Sequence, residues 1–436
     1  MRVSALKYTV LSWATTLVMV IILAMPFHAF LTVWGASLIG HYTALRLWKE
    51  VLLLLCGLGV LLLLATDHKI RSHTLTRRLV RLILLYGLVN LIWGLVALKH
   101  HAVDLKALGY GLIINLRFLF FFLITWASAL RLARLRIHWQ WMILWPAGLV
   151  VLFGLLQIFV LPRDFLRHFG YGPNTILPFS TINHDSHYVR IASTLRGPNP
   201  LGAYLLIPIT LLTILLLRGK RLKLYSGLLA ASLLVLFFSF SRGAWIGAAL
   251  SITAVVLLSA RTARLRRATL AAIACLLVVS AALVVGLHHN ARFQNFVFHT
   301  QDHSAVKISS NEDHFSALKS GLRDVIHEPL GRGPGTAGPA SIYNTGHPAR
   351  IAENYYVQIG QETGWLGLSL FVLIVAGVGY LLWLRRDHSL ALALFASLIG
   401  LSFVSLLSHG WTDDTLAYVW WGLAGIAMAP GLNKEE

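Results

Sequence analysis

Apolar runs of around 20 residues recur along almost the whole chain, and short knots of arginine and lysine separate them. Each run is long enough to cross about 30 Å of hydrocarbon as a helix. The composition agrees: 57% of the 436 residues are hydrophobic and only 12% charged, against about 25% charged in soluble domains. A soluble globule is thereby excluded, and the chain reads as an all-α polytopic membrane protein. In a soluble protein a net charge of +20 would point to nucleic acid. Here the preference of basic loops for the cytoplasmic side and for anionic head groups accounts for it, and no nucleic-acid partner is expected. The two cysteines, Cys56 and Cys275, lie inside apolar runs, which argues against a disulfide framework or a thiolate metal site.

The basic clusters set the topology. Lys69, Arg71, Arg77 and Arg78 form one; Arg131, Arg134 and Arg136 another; Arg218, Lys220, Arg221 and Lys223 a third. Arg261, Arg264, Arg266 and Arg267 follow, then Arg385 and Arg386. An even number of runs separates each cluster from the next, so all can face the cytoplasm. This predicts about 12 spans with both ends inside, near 9–26, 44–66, 79–98, 108–130, 140–161, 197–217, 225–241, 243–260, 268–287, 356–384, 388–408 and 414–432. The basic N-terminus resembles a signal peptide, but its apolar core is too long, and it reads as the first span. The chain divides into N-terminal spans (1–161), central spans with a first outer loop (162–287), a large extracytoplasmic loop (288–355) and C-terminal spans (356–436). Within the large loop, HFSALKSGLRDVIH has a helical apolar period, so the loop is expected to be partly helical over the membrane surface.

Several cations break the inside-positive pattern. Arg190, Arg196, Arg242, Arg292, Arg323, Arg332 and Arg350 all fall on the outer side, with Arg46 and Lys49 at the outer end of the second span. Outward cations near a bilayer call for an anionic partner, and a phosphorylated lipid head group supplies one. Long outer loops also carry ordinary solvated charge, which suits Arg292 and Arg323 equally well. Arg242 lies between two apolar runs with no polar loop to dissolve in, so it reads as a site residue. Arg117, in INLRFLFFF, reads as a structural partner inside the bundle.

Three passages, in order, resemble the bacterial O-antigen ligase and O-antigen polymerase (Wzy-C-like) family of membrane glycosyltransferases. They are RIASTLRGPNPLGAYLL (Arg190 to Leu206), SFSRGAWIG (Ser239 to Gly247), and the stretch from DHFSALKSGLRDVIHEPLGRGPGTAG to ENYYVQIGQETGWLGL. The resemblance covers about residues 185–370, with LRLWKEVLLLL adding the second span. It implies a GT-C-like helical fold in the inner (cytoplasmic) membrane, with its site on the extracytoplasmic face. It further implies a donor saccharide on undecaprenyl diphosphate and a glycan or lipid acceptor hydroxyl, meeting outside the cytoplasmic membrane. Where ligases of the family carry a histidine before the asparagine of the helix after the loop, this chain has Glu353.

Under that resemblance Arg190, Arg196 and Arg242 are expected at the diphosphate, because a guanidinium fork stays charged and pairs with two phosphate oxygens. Lys49 joins them as a point charge, and Asn199, His314, Asn354 and Tyr355 as substrate-binding residues. Arg190 and Arg242 stand with Glu353 as the catalytic set. Glu353 has two readings: base or acceptor-orienting group, or cap of the following helix. His314 likewise reads either as a substrate contact or as a helix cap on a solvated surface. Glu362 lies nine residues beyond Glu353, about 13 Å away along a helix, too far for a paired-carboxylate glycosidase. It is expected to bind an arginine. The HGWTDD turn, His409 to Asp414, reads as binding acceptor or balancing arginines. With no HExxH, CxxC or DxD pattern, metal-independent, inverting transfer without a cofactor is expected. A transporter or flippase of lipid-linked oligosaccharide is the alternative, and it would need arginines along a path through the bilayer.

Overall fold

The computed structural model describes residues 2–68, 71, 77–130, 133–182, 185–260, 262–290, 293–294 and 310–429. Lys69, Arg131, Arg261 and Arg292 lie outside the described residues. In chain order the helices are α1 (Arg2–Ala24), α2 (His28–Ile39), α3 (Tyr42–Leu45), α4 (Trp48–Thr66), α5 (Arg78–Lys99), α6 (Leu105–Ala129), α7 (Ala133–Ile137) and α8 (Trp139–Phe159). They continue as α9 (Pro198–Leu217), α10 (Leu222–Phe238), α11 (Arg242–Ser259), α12 (Ala263–Leu287), α13 (Ser310–His327), α14 (Tyr355–Trp383), α15 (Ser389–Leu407) and α16 (Asp414–Ala427). Among the described residues, nine stretches are long and apolar enough to cross a membrane. The fold is therefore all-α and multi-pass. Every run expected from the sequence falls on a helix; α10 and α16, at 17 and 14 residues, are the short ones.

The first span departs from the expectation. It runs from Ser12 to Ile39, where the sequence suggested a stop at Pro26. A 3-10 turn at Met25–Phe27 places Pro26 in its first turn, where a missing N–H costs little, and the helix resumes at His28. This brings His28 into the bundle.

Lipid-facing and packed surfaces separate cleanly. Leu54, Leu58 and Leu61 form an exposed stripe on α4 at helical spacing, whereas α9 is buried over nearly its whole length. α16 packs on α6 through Trp421 against Phe118 and Phe122. α15 packs on α9 and α11. A side-chain carbon on Gly400 would sit 2.3 Å from the Gly247 carbonyl oxygen, so α11 and α15 meet backbone to backbone, as small residues permit between membrane helices.

Two polar segments between the spans are folded. The first, residues 162–196, carries a hairpin, β1 (Ser180–Ile182) with β2 (Asp185–Arg190), antiparallel with Ser180 opposite Arg190. The second is the large loop with α13, which packs on α14 through Val325, Ala352 and Val357.

Candidate active site

The turn after the large loop bears on the capping reading of Glu353. Asn354, not Glu353, caps α14: its side-chain oxygen accepts from the Val357 N–H at 3.0 Å, leaving one fewer orphan donor in the first turn. Its amide donates to the Leu406 carbonyl at 2.9 Å. Glu353 adopts a left-handed backbone with φ 51°, a conformation costing a side-chain-bearing residue on the order of 1 kcal/mol. The result is a carboxylate turned outward, half exposed, and ion-paired with His314 of α13. The structure thus joins two residues that the sequence offered separately. Tyr355, expected among the saccharide contacts, is fully buried, edge-on to Phe371 at 5.4 Å.

The C-terminal end of α15 is the hub around which the other groups collect. Asn354 holds Leu406 from one side. From another, Gly243 faces Leu407, to which a side-chain carbon at that position would come within 3.5 Å. Arg242, which opens α11, and Glu353 therefore flank the same helix end. Just beyond, His409 and Asp413 lie in the field of Arg196. Burial, reinforced by Arg196, pushes His409 down to about 4, and burial raises Asp413 despite that cation.

Arg190 ends β2 and reaches back to the α10–α11 turn. It donates through Nε to the Ser239 carbonyl at 3.0 Å and through Nη2 to the Asn199 side-chain oxygen at 2.7 Å. Both acceptors are neutral. Burial, and then the charge of Arg242, push it down to about 10, so Arg190 stays cationic at neutral pH. Arg190 lines a cavity of about 300 Å³ with Arg163, Gln157, Phe179, Phe238 and Phe240. Two cations beside aromatic and aliphatic walls suit an anion that carries an apolar tail.

Lys49 belongs to a different cluster. Its ammonium is buried and lies 3.1 Å from Glu50 and 3.0 Å from Asp414, so a diphosphate would have to compete with two carboxylates. Arg117 also pairs with Asp414, and with Glu50 at 3.4 Å, and donates to the Thr412 carbonyl at 2.8 Å. His28 completes the cluster 3.3 Å from Asp414, with Trp48 donating to its other ring nitrogen at 2.8 Å. The turn's two aspartates thus divide their work. Asp414 balances cations, while Asp413 caps α16 by accepting from the Leu416 N–H at 3.1 Å. Arg196, Arg46, Tyr42 and Asp413 frame a cavity of about 20 Å³ beside this cluster, the room of about one water.

Glu362 corrects the sequence reading, which expected an arginine. Its buried carboxylate accepts from Asn115 at 2.7 Å and from the Gly335 N–H at 2.8 Å. Facing positions on a helix are legible from period; which donor a folded-back loop delivers is not. The loop sits so deeply because α14 breaks at Gly364, φ 64° and ψ −165°, a conformation that glycine reaches without a Cβ clash. There the Gly333 N–H bonds the Glu362 carbonyl at 2.7 Å and the Trp365 N–H bonds the Pro329 carbonyl at 2.9 Å. Arg350 clamps the loop to α13 through Asp324 at 2.8 Å and Glu328 at 2.9 Å. Arg332 also pairs with Glu328. The four-residue spacing of Asp324, in the last turn of α13, and Glu328, just past its end, was the available signal for this clamp.

Residues 227–372, a third of the chain, match the family model described as O-antigen ligase. The match takes in Arg242, α13, the large loop, Glu353 and the upper half of α14, whereas Arg190, Arg196 and Lys49 precede it. Among curated proteins no match is found. With nine apolar spans among its described residues the chain is a multi-pass membrane protein, and its residues 227–372 are similar to the O-antigen ligase family of polysaccharide biosynthesis.

Proposed function

We propose that the protein is an inner-membrane glycosyltransferase that moves a saccharide from undecaprenyl diphosphate to a hydroxyl acceptor at the extracytoplasmic face. The observation that carries this reading is the pair Arg190 and Arg242. Two like charges brought within each other's field in a half-buried site repel, and an anion between them relieves that repulsion. A diphosphate satisfies both forks. The adjoining cavity, with Phe238 and Phe240 in its wall, offers apolar surface to the first isoprene units.

In the reaction the acceptor hydroxyl gives its proton to the Glu353 carboxylate. Its oxygen bonds to the anomeric carbon, and the bond from that carbon to the diphosphate oxygen breaks. The diphosphate leaves with the electron pair, its charge met by Arg190 and Arg242. One direct displacement inverts the anomeric centre, and no metal enters the scheme. Preorganised cations of this kind contribute several kcal/mol to barrier reduction, and a positioned base about 10²–10⁴-fold in rate. His314 orients Glu353, and Arg196 and Asn199 steady the donor side. Asn354 and Tyr355 hold the start of α14 beneath the base, and Lys49 fixes the wall through Asp414.

The test is transfer from a labelled polyprenyl-diphosphate saccharide in reconstituted vesicles, with a panel of glycan and lipid acceptors. Wild type is expected to transfer, and Arg242→Ala and Glu353→Gln to lose transfer while remaining folded. Movement of labelled lipid between leaflets without transfer would establish the flippase alternative instead.

A further inference from the structure

A second ligand-sized feature lies toward the opposite end of the bundle, between α8 and α10. The two helices touch near their outer ends, where a side-chain carbon on Gly154 would come within 2.8 Å of Val235. Toward the basic cluster they part: a carbon on Gly148 would meet nothing within 4 Å. The opening is a cleft of about 750 Å³, well inside the size range of ligand sites, roughly 300–1,000 Å³. Its walls are apolar, Leu149 and Leu152 on α8 facing Leu224 and Leu228 on α10.

The cleft's mouth has a different chemistry. Trp141 and Trp145, one turn apart, are 60% and 59% exposed. Exposed tryptophans at a span's end mark head-group depth. Lys220 and Arg221, both exposed, close the same mouth. Apolar walls, an aromatic collar and paired cations match the three parts of an anionic phospholipid: acyl chain, glycerol level and phosphate. A zwitterionic lipid would bring its own ammonium against the two cations and gain less.

We propose that this cleft binds one anionic phospholipid of the phosphatidylglycerol type, its phosphate between Lys220 and Arg221 and one acyl chain along Gly148. The site is separate from the outer mouth and does not depend on the glycosyltransferase reading.

The experiment is native mass spectrometry of the purified full-length chain, titrated separately with phosphatidylglycerol, phosphatidylethanolamine and a polyprenyl phosphate. Wild type is expected to retain one phosphatidylglycerol at about tenfold lower lipid concentration than phosphatidylethanolamine, the preference that two cations near a head group give. Lys220→Gln with Arg221→Gln should erase that preference. Gly148→Leu, which fills the cleft while leaving both charges in place, should lower retention of both phospholipids and keep their order. This second variant tests the cleft even where the double variant fails to fold. Equal retention of the two phospholipids by wild type would overturn the proposal. So would a preference that survives loss of both charges, a filled cleft that binds as before, or polyprenyl phosphate held in place of phosphatidylglycerol.

Discussion

Two groups of cations gather near the ends of the spans, and the fold treats them in opposite ways. Arg117 and Lys49 share Glu50 and Asp414 among themselves, with His28 alongside. Arg190 donates to neutral oxygens of Ser239 and Asn199 and stands in the field of Arg242. The first group is internally neutralised and buried within helices; the second sits on a strand end and a helix start beside a cavity. Cations in a membrane protein are therefore not one class. A closed set of ion pairs holds spans together, and cations placed beside a cavity are where an anionic ligand has something to gain.

The comparison is broken most directly at Asp414. Asp414→Ala leaves Arg117 and Lys49 buried with one carboxylate, Glu50, and should cost about 3–5 kcal/mol, read as a large fall in melting temperature in detergent and loss of folded yield. Arg190→Ala should do the reverse. Glycan transfer should fall about 10²–10³-fold with the melting temperature nearly unchanged; a drop in stability without loss of transfer would move Arg190 into the closed group.

Acid sharpens the boundary between the groups, where His409 lies beside Arg196. Its folded value, about 4, is below its ordinary one, so the unfolded chain binds the extra proton first. The stability it contributes is complete above about pH 6.5 and is lost as pH falls toward 4, on the order of 2–3 kcal/mol. His409→Gln should remove that part of the acid sensitivity, measured as the difference between the two pH–melting curves. The smallest effect is expected at the cap. Asn354→Ala should cost about 0.5–2 kcal/mol, with transfer reduced only as far as the start of α14 frays.

Hydropathy made the helices legible because in a bilayer length and apolarity are nearly sufficient to form one. It misjudged Pro26 because a proline in the first turn of a 3-10 segment restarts a helix rather than ending it. Arg190 and Asn199, nine residues apart, lay in one quoted passage, and Arg242 stood out for want of a polar loop. The pairing of Glu353 with His314 and the donors to Glu362 depend on how the large loop folds back, and no local period records that. His28 was missed for a related reason: it lies two residues beyond Pro26, in the part of the span that continues to Ile39.

The break at Gly364 has a consequence for anyone who would exchange the outer loop between relatives. Above the break, Gln361 donates to Asp324 at 2.7 Å and Glu362 grips Gly335, so the top of α14 is fastened to the loop as well as to the bundle. The natural seam therefore lies at Gly364 and not at the apparent loop boundary near Asn354. A chimera cut at Asn354 would mismatch Glu362 with its loop donor, whereas a graft carried through Gly364 would bring carboxylate and donor together and leave Asn115, Asp104 and the Leu406 carbonyl among the contacts to be conserved on the recipient side.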